Sequence, residues 1–154
     1  MDLLDELKQL VAQLHDDGIE YALCGGLAMA VYALPRATLD IDLMIEASSL
    51  ERTRHAARRL GFSVDALPMQ FHDGKIRIRR VSKIEPGTGE TLSLDLLMVT
   101  PEIQQAWDSR TNVEWEGGVL SVVSPQGLIH LKAFRKSGQD QDDIQYLRSI
   151  LVED

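Results

Sequence analysis

The chain has 154 residues, a length typical of one folded domain, and we expect a single domain over residues 1–154. Its net charge of −8 argues against a protein that holds duplex DNA, because such binding relies on an excess of positive charge facing the phosphates. The chain has one cysteine, Cys24, which excludes an intramolecular disulfide. The N-terminal stretch is acidic and there is no long apolar run, so we expect a cytoplasmic protein without a signal peptide or a membrane partner.

Helices and strands alternate in the first part of the chain. Apolar residues recur at helical spacing up to Gly18, a short apolar strand ends in Gly25–Gly26, and Pro35 disfavours helix at the residue before it. A strand with alternating character and a serine-capped helix follow. In chain order we expect a helix over 2–16, a strand over 19–24, a helix over 27–34, a strand over 39–45 and a helix from Ser48 or Ser49 to about Leu60.

Two strand pairs and more helices are predicted in the second part. Residues 85–90 are rich in turn formers, so the strands on either side of them are expected to form a hairpin. The order is strands over 75–84 and 91–99, a short helix from Pro101, a smaller hairpin over 115–123, a helix from Pro125 and a last helix over 140–151. This succession predicts a mixed α/β or α+β domain, with a β-sheet flanked by helices.

Three aspartates are the first candidates for chemistry. Side chains alternate along a strand, so Asp40 and Asp42 share one face, and Asp95 lies opposite the leucines of its own strand. If the two strands are neighbours, the carboxylates converge and repel by roughly 4 kcal/mol per pair at 4 Å and an effective dielectric near 20. Either a raised carboxyl pKa or a bound cation relieves this repulsion, and oxygen ligands suit Mg²⁺ or Mn²⁺. The alternative is an exposed edge strand whose acids never meet Asp95.

Two other features have both a functional and a structural interpretation. Gly25–Gly26 joins a strand directly to a helix; this arrangement either brings bare backbone close to an anion or is an ordinary turn. Two basic runs either line a local groove for an RNA end or a triphosphate, or are solvated faces. These runs are Arg52, Arg54, Arg58 and Arg59 on a helix, and Lys75, Arg77, Arg79, Arg80 and Lys83 on a strand.

Several of these segments together resemble a known family. Gly25–Gly26, Pro35-Arg36-Ala37-Thr38 and Asp40-Ile41-Asp42-Leu43 resemble the opening motif of the DNA polymerase β-type nucleotidyltransferase superfamily. More narrowly, they are similar to its minimal bacterial branch, which includes AbiEii-like abortive-infection toxins. Residues 124–133 are similar to the lysine-bearing helix of that branch, and its following arginine and paired acids are matched by Arg135, Asp140 and Asp143.

The resemblance implies a small mixed sheet with the active site on one face, and transfer of a nucleoside monophosphate from a nucleoside triphosphate to an acceptor hydroxyl. Two Mg²⁺ or Mn²⁺ ions are expected with the bound nucleotide. In the implied roles, Gly25 and Gly26 cradle the triphosphate, and Lys132 contacts a phosphate. The metal ligands are Asp40, Asp42 and Asp95, and Asp95 also helps to activate the hydroxyl. Arg36 and Thr38 contact the nucleotide or the loop, and Asp140 or Asp143 supports the site.

One residue departs from the family pattern. Many relatives carry Ser or Thr after the glycines, where this chain has Leu27, so one phosphate ligand is missing. This leaves a second hypothesis, a weakly active or inactive nucleotide-binding or partner-binding module. A third, from family analogy, is a component of a toxin–antitoxin pair. The acceptor could be an RNA end, a protein hydroxyl or a small molecule, and a homodimer or a small protein partner could complete the cleft.

Overall fold

The computed structural model describes residues 1–32, 40–116, 118–133 and Arg148. No helix within these ranges is long and apolar enough to cross a membrane. Two single 3₁₀ turns, Ala47–Ser49 and Pro101–Ile103, precede the third and fourth α-helices. The elements are α1 (Leu3–Asp16), β1 (Ala22–Cys24), α2 (Gly25–Val31), β2 (Asp40–Ile45), α3 (Leu50–Arg59), β3 (Val64–Asp65), β4 (Met69–Phe71), β5 (Ile76–Ile84), β6 (Thr91–Met98), α4 (Gln104–Asp108), β7 (Thr111–Trp115), β8 (Gly118–Val122) and α5 (Pro125–Ala133).

The strands form one mixed sheet in the order β3-β5-β6-β2-β1-β8-β7, with β4 also paired to β5. Strands β2 and β6 are parallel, as are β1 and β8, while the remaining pairs are antiparallel. The predicted mixed α/β fold is therefore confirmed. Because β2 lies between β1 and β6, the alternative in which its two aspartates line an exposed edge strand is wrong.

One face of the sheet carries the main hydrophobic core. The apolar residues of β2 and β6 that alternate with the aspartates are buried there, with Ile41, Leu43, Leu94 and Leu96 fully inaccessible to solvent. Helix α1 presents its apolar stripe to the same core. On this side the Lys83 ammonium donates to both carboxylate oxygens of Glu6 in α1, at 3.0 and 2.9 Å, which links the helix to β5. The opposite face carries the three aspartates, together with apolar residues such as the buried Met44.

The structure differs from the sequence prediction at some element ends. Helix α2 starts at Gly25 rather than after the glycines, and the first strand of the second hairpin begins at Thr111. The predicted serine cap of α3 is wrong: Ser49 already has a helical backbone, with φ −94° and ψ 0°, and makes no side-chain capping bond. A cap needs extended backbone, which the preceding 3₁₀ turn does not allow. Strands β3 and β4 were not predicted, and the helix expected over 140–151 lies outside the described residues.

Candidate active site

A row of chemically active residues crosses four neighbouring strands. Asp42 of β2 pairs with Cys24 of β1 on one side and with Asp95 of β6 on the other. Asp95 in turn pairs with Arg80 of β5. Directly paired residues project from the same face of a sheet, and adjacent strands are about 4.8 Å apart. The carboxylates of Asp42 and Asp95 are therefore neighbours on the face opposite the main core.

A second polar row lies beside the first on the same face. Asp40 pairs with Ser93 of β6, and Ser93 pairs with Ser82 of β5. The two serine hydroxyls are 3.2 Å apart and hydrogen bonded. All three residues are half-buried, so this part of the sheet is open to solvent. The three aspartates singled out from the sequence thus lie on two adjacent rows of one open sheet face.

Gly25 leaves the space in which the Asp42 carboxylate lies. Its φ of +68° is in the left-handed region, which favours glycine. A Cβ at this position would stand 2.2 Å from Asp42 Oδ2 and 2.7 Å from its carboxyl carbon, so no side chain fits. The sequence suggested bare backbone close to an anion; in the described residues that anion is Asp42 itself. Gly26 follows in the first turn of α2.

Arg80 is a site residue that the sequence analysis placed only in a basic run. Its Nε donates to Asp95 Oδ1 at 2.7 Å and its Nη2 donates to Asp95 Oδ2 at 2.9 Å. The hydrogen bonding to Asp95, then the negative charge of Asp95, and after these the charges of Asp40 and Asp42, raise the pKa of the guanidinium. Alternation along β5 sends Lys83 to the opposite face, so the basic run is divided between the two sides of the sheet. In the sequence, the alternation of side chains along β5 was the only indication that Arg80 lies on the aspartate face. That indication identifies Asp95 as its partner only once the pairing register of β5 and β6 is known.

Lys132 brings a positive charge to the buried end of the first row. It lies on α5 and is 4% exposed. Burial, followed by the charges of Asp42 and Asp95, raises the pKa of the Cys24 thiol well above its usual value, and the charge of Lys132 opposes that rise. Lys132 is therefore close enough to act electrostatically on this row, and the thiol is protonated at neutral pH.

A divalent cation needs oxygen donors, and the site supplies them. Its donors are carboxylate oxygens, which suit a hard ion such as Mg²⁺ or Mn²⁺, and Gly25 leaves the Asp42 carboxylate in contact with bare backbone. Both oxygens of Asp95 contact Arg80, and in the part of the chain that the structure describes no three His, Cys, Asp or Glu side chains are already grouped to hold a metal ion. The donor chemistry fits the ion, whereas in this structure the third carboxylate is held by a guanidinium.

The remaining residues discussed from the sequence are either buried or outside the described residues. Leu27, at the position where relatives carry a hydroxyl, is 9% exposed and packs in the core, so it presents no polar group to a ligand. Four candidates lie outside the described residues: Arg36, Thr38, Asp140 and Asp143.

The helical basic run stabilises the fold locally. Arg54 and Arg58 both contact the Asp65 carboxylate, at 3.0 and 2.9 Å, and Arg59 contacts Asp17 at 2.6 Å. These pairs connect α3 to β3 and to the end of α1. Since the three arginines contact acids of this chain, the observed contacts support the structural interpretation of the run rather than a groove for nucleic acid.

Solved structures show which proteins share this fold. The chain resembles the lincosamide antibiotic adenylyltransferase LnuA in its lincomycin-bound form, with TM-score 0.62, 16% identity and coverage of 95% of this chain and 96% of that one. A protein from Thermotoga maritima described as a nucleotidyltransferase gives TM-score 0.60 and 16% identity, over 98% and 93%. ANT(2″)-Ia in complex with adenylyl-2″-tobramycin gives TM-score 0.60 and 16% identity, over 94% and 87%. At these identities the likeness concerns the fold alone.

Sequence comparison identifies the family. No curated protein matches the chain at a significant level. The family model described as "Nucleotidyl transferase AbiEii toxin, Type IV TA system" matches residues 7–134, which is most of the chain and includes β1, α2, β2, β6 and α5. Together with the two-glycine turn and the aspartates of β2 and β6, this match shows that the chain belongs to the AbiEii family of nucleotidyltransferases, as the motif resemblance predicted.

Proposed function

We propose that the chain transfers a nucleoside monophosphate from a nucleoside triphosphate to an acceptor hydroxyl, with Mg²⁺ or Mn²⁺ bound by Asp40, Asp42 and Asp95. The observation that carries this proposal is the pairing of Asp42 with Asp95 on the open face of the sheet, with Asp40 one row away. Three carboxylates at adjacent positions repel one another, and a divalent cation between them removes that cost.

Each of the proposed site residues has a role in the transfer reaction. The oxygen of the acceptor hydroxyl forms a bond to the α-phosphorus and gives up its proton to Asp95, the bond from the α-phosphorus to the oxygen that bridges it to the β-phosphate breaks, and pyrophosphate leaves. The bound ions would supply charge neutralisation at the attacking and leaving oxygens. In the proposed roles Asp40 and Asp42 hold the ions, Asp95 accepts the hydrogen bond of the hydroxyl, and Lys132 offsets phosphate charge. Further proposed nucleotide contacts are Gly25, Gly26, Arg36, Thr38, Asp140 and Asp143.

A second candidate is a nucleotide-binding or partner-binding module with little activity. The observation that favours it is the burial of Leu27, which removes a hydroxyl that many relatives offer to the phosphates. The three aspartates on one face of the sheet, with the charge of Lys132 acting on the neighbouring Cys24, favour the active enzyme. A direct assay of transfer separates the two candidates.

Transfer is tested with triphosphates labelled at either the α- or the γ-phosphate. The protein is incubated with each of the four labelled nucleoside triphosphates, Mg²⁺ and a cell lysate, and the RNA, protein and small-molecule fractions are then separated. We expect the α-label in one fraction, the γ-label in pyrophosphate, and no transfer with excess chelator. Incorporation of the γ-label would indicate a kinase instead. No incorporation of either label with any of the four nucleotides would favour the binding module.

The family description supports a further proposal, that the chain is the toxin of a toxin–antitoxin pair with a protein antitoxin as its partner. If so, induced expression of the chain in a bacterial host should arrest growth, and the Asp42→Ala variant should not. Equal growth arrest by both proteins would show that the effect does not depend on nucleotidyl transfer.

A further inference from the structure

We propose that Arg80 is a positioning residue that holds the Asp95 carboxylate in the metal-free enzyme and competes with the divalent cation for it. The inference rests on the proposed function, because it takes Asp95 as the third metal ligand. It adds a role for a residue on β5, the strand next to the one that carries Asp95. Arg80 lies outside the motifs by which the family was recognised.

The geometry of the pair is the first support. Arg80 and Asp95 are directly paired across β5 and β6, and the guanidinium meets the carboxylate side-on through Nε and Nη2 at 2.7 and 2.9 Å. Two parallel charge-assisted bonds form a pair that is stronger and more directional than a single contact. The Asp95 side chain is 13% exposed, so the pair is largely shielded from solvent on the aspartate side. Asp95 is therefore held in one orientation.

The charge distribution is the second support. Three neighbouring aspartates repel one another, and a cation beside them relieves that repulsion. In the described residues Arg80 does this for Asp95, and it also lies close enough to Asp40 and Asp42 for their charges to stabilise its protonated form. An arginine cannot lose its proton in the physiological range. A positive charge is consequently present beside the three carboxylates in the absence of metal.

Competition follows from these two observations. A divalent ion bound to Asp95 adds a second positive charge beside the guanidinium, and the two repel one another. The Arg80 side chain is 40% exposed and can leave the carboxylate towards solvent, whereas Asp95 is held by its strand. A metal ion that takes Asp95 as a ligand in the free enzyme therefore displaces Arg80 from that carboxylate. Replacement of Arg80 should strengthen binding of metal alone.

The proposal is tested by titrating nucleotide-free protein with Mn²⁺ and measuring free Mn²⁺ by electron paramagnetic resonance. We expect Arg80→Gln to bind Mn²⁺ about tenfold more tightly than wild type, since the paired hydrogen bonds between Arg80 and Asp95 no longer have to be broken. Arg79→Gln is the matched control. It removes the same charge from the neighbouring position of β5, whose side chain projects from the other face, and should leave the affinity within about twofold of wild type.

Two further substitutions test whether any gain in Mn²⁺ affinity depends on the contact between Arg80 and Asp95. Arg80→Lys keeps the charge but cannot form the side-on pair, so its Mn²⁺ affinity should lie between those of wild type and Arg80→Gln, and it serves if Arg80→Gln does not fold by circular dichroism. Asp95→Asn added to either Arg80 variant should remove the gain. Binding that depends on Asp42 but is unchanged or weaker in both Arg80 variants would overturn the role of Arg80 alone. No Mn²⁺ binding by any variant, with or without nucleotide, would overturn the proposed metal site as well.

Discussion

Replacement of Asp42 by alanine is expected to lower the rate of nucleotidyl transfer at least about a thousandfold, equivalent to about 4 kcal/mol of transition-state stabilisation. The reason is its position. Asp42 pairs with Cys24 and Asp95, and its carboxylate contacts the bare backbone at Gly25, so its loss removes the carboxylate at the centre of the proposed metal site. The measurement is α-label transfer under single-turnover conditions, with saturating nucleotide and Mg²⁺.

A matched variant separates loss of chemistry from loss of a surface charge. Glu114→Ala removes one exposed carboxylate from β7, the edge strand at the far end of the sheet from β5, and should transfer label at the wild-type rate. Thermal unfolding of both variants shows whether either has lost its fold. An Asp42→Ala protein that is folded and transfers label within tenfold of wild type would contradict the catalytic assignment.

Replacement of Gly25 by alanine should destabilise the protein by about 3 kcal/mol and abolish transfer. Part of that energy, about 1–2 kcal/mol, is the cost of a left-handed backbone for a residue with a Cβ. The rest comes from the contact between the new Cβ and the Asp42 carboxylate, which must move because 2.2 Å is far inside van der Waals distance. Urea denaturation measures the stability, and the label-transfer assay measures the activity.

Gly18→Ala is the control for backbone conformation. Gly18 has φ +67°, against +68° for Gly25, and a Cβ there would meet no atom within 4 Å. We expect it to be destabilised by about 1–2 kcal/mol, the backbone cost alone, with wild-type transfer. The difference between the two variants isolates the contact with Asp42. Equal stability and full activity in both would show that the Asp42 carboxylate does not need the space at Gly25.

Much of the local structure could be predicted because it depends on spacing along the chain. The period of two in Asp40-Ile41-Asp42 placed both carboxylates on one face of β2, and the apolar alternation in β6 placed Asp95 opposite its leucines. The structure agrees, with the leucines buried and the acids on the polar face. The AbiEii family was also within reach, because its motifs are short segments at defined positions. The capping of α3 at Ser49 could not be predicted, because the backbone of Ser49 is set by the preceding 3₁₀ turn.

The sequence by itself determined the family, most of the elements and the face on which each aspartate lies. Only the tertiary structure decided that β2 and β6 are parallel neighbours, because three strands intervene along the chain and nothing local specifies that pairing. It also decided that Arg80 meets Asp95: shifting the register of β5 by one residue would have sent that side chain to the opposite face. Local spacing sets the direction of a side chain, whereas its partner is set by long-range strand pairing.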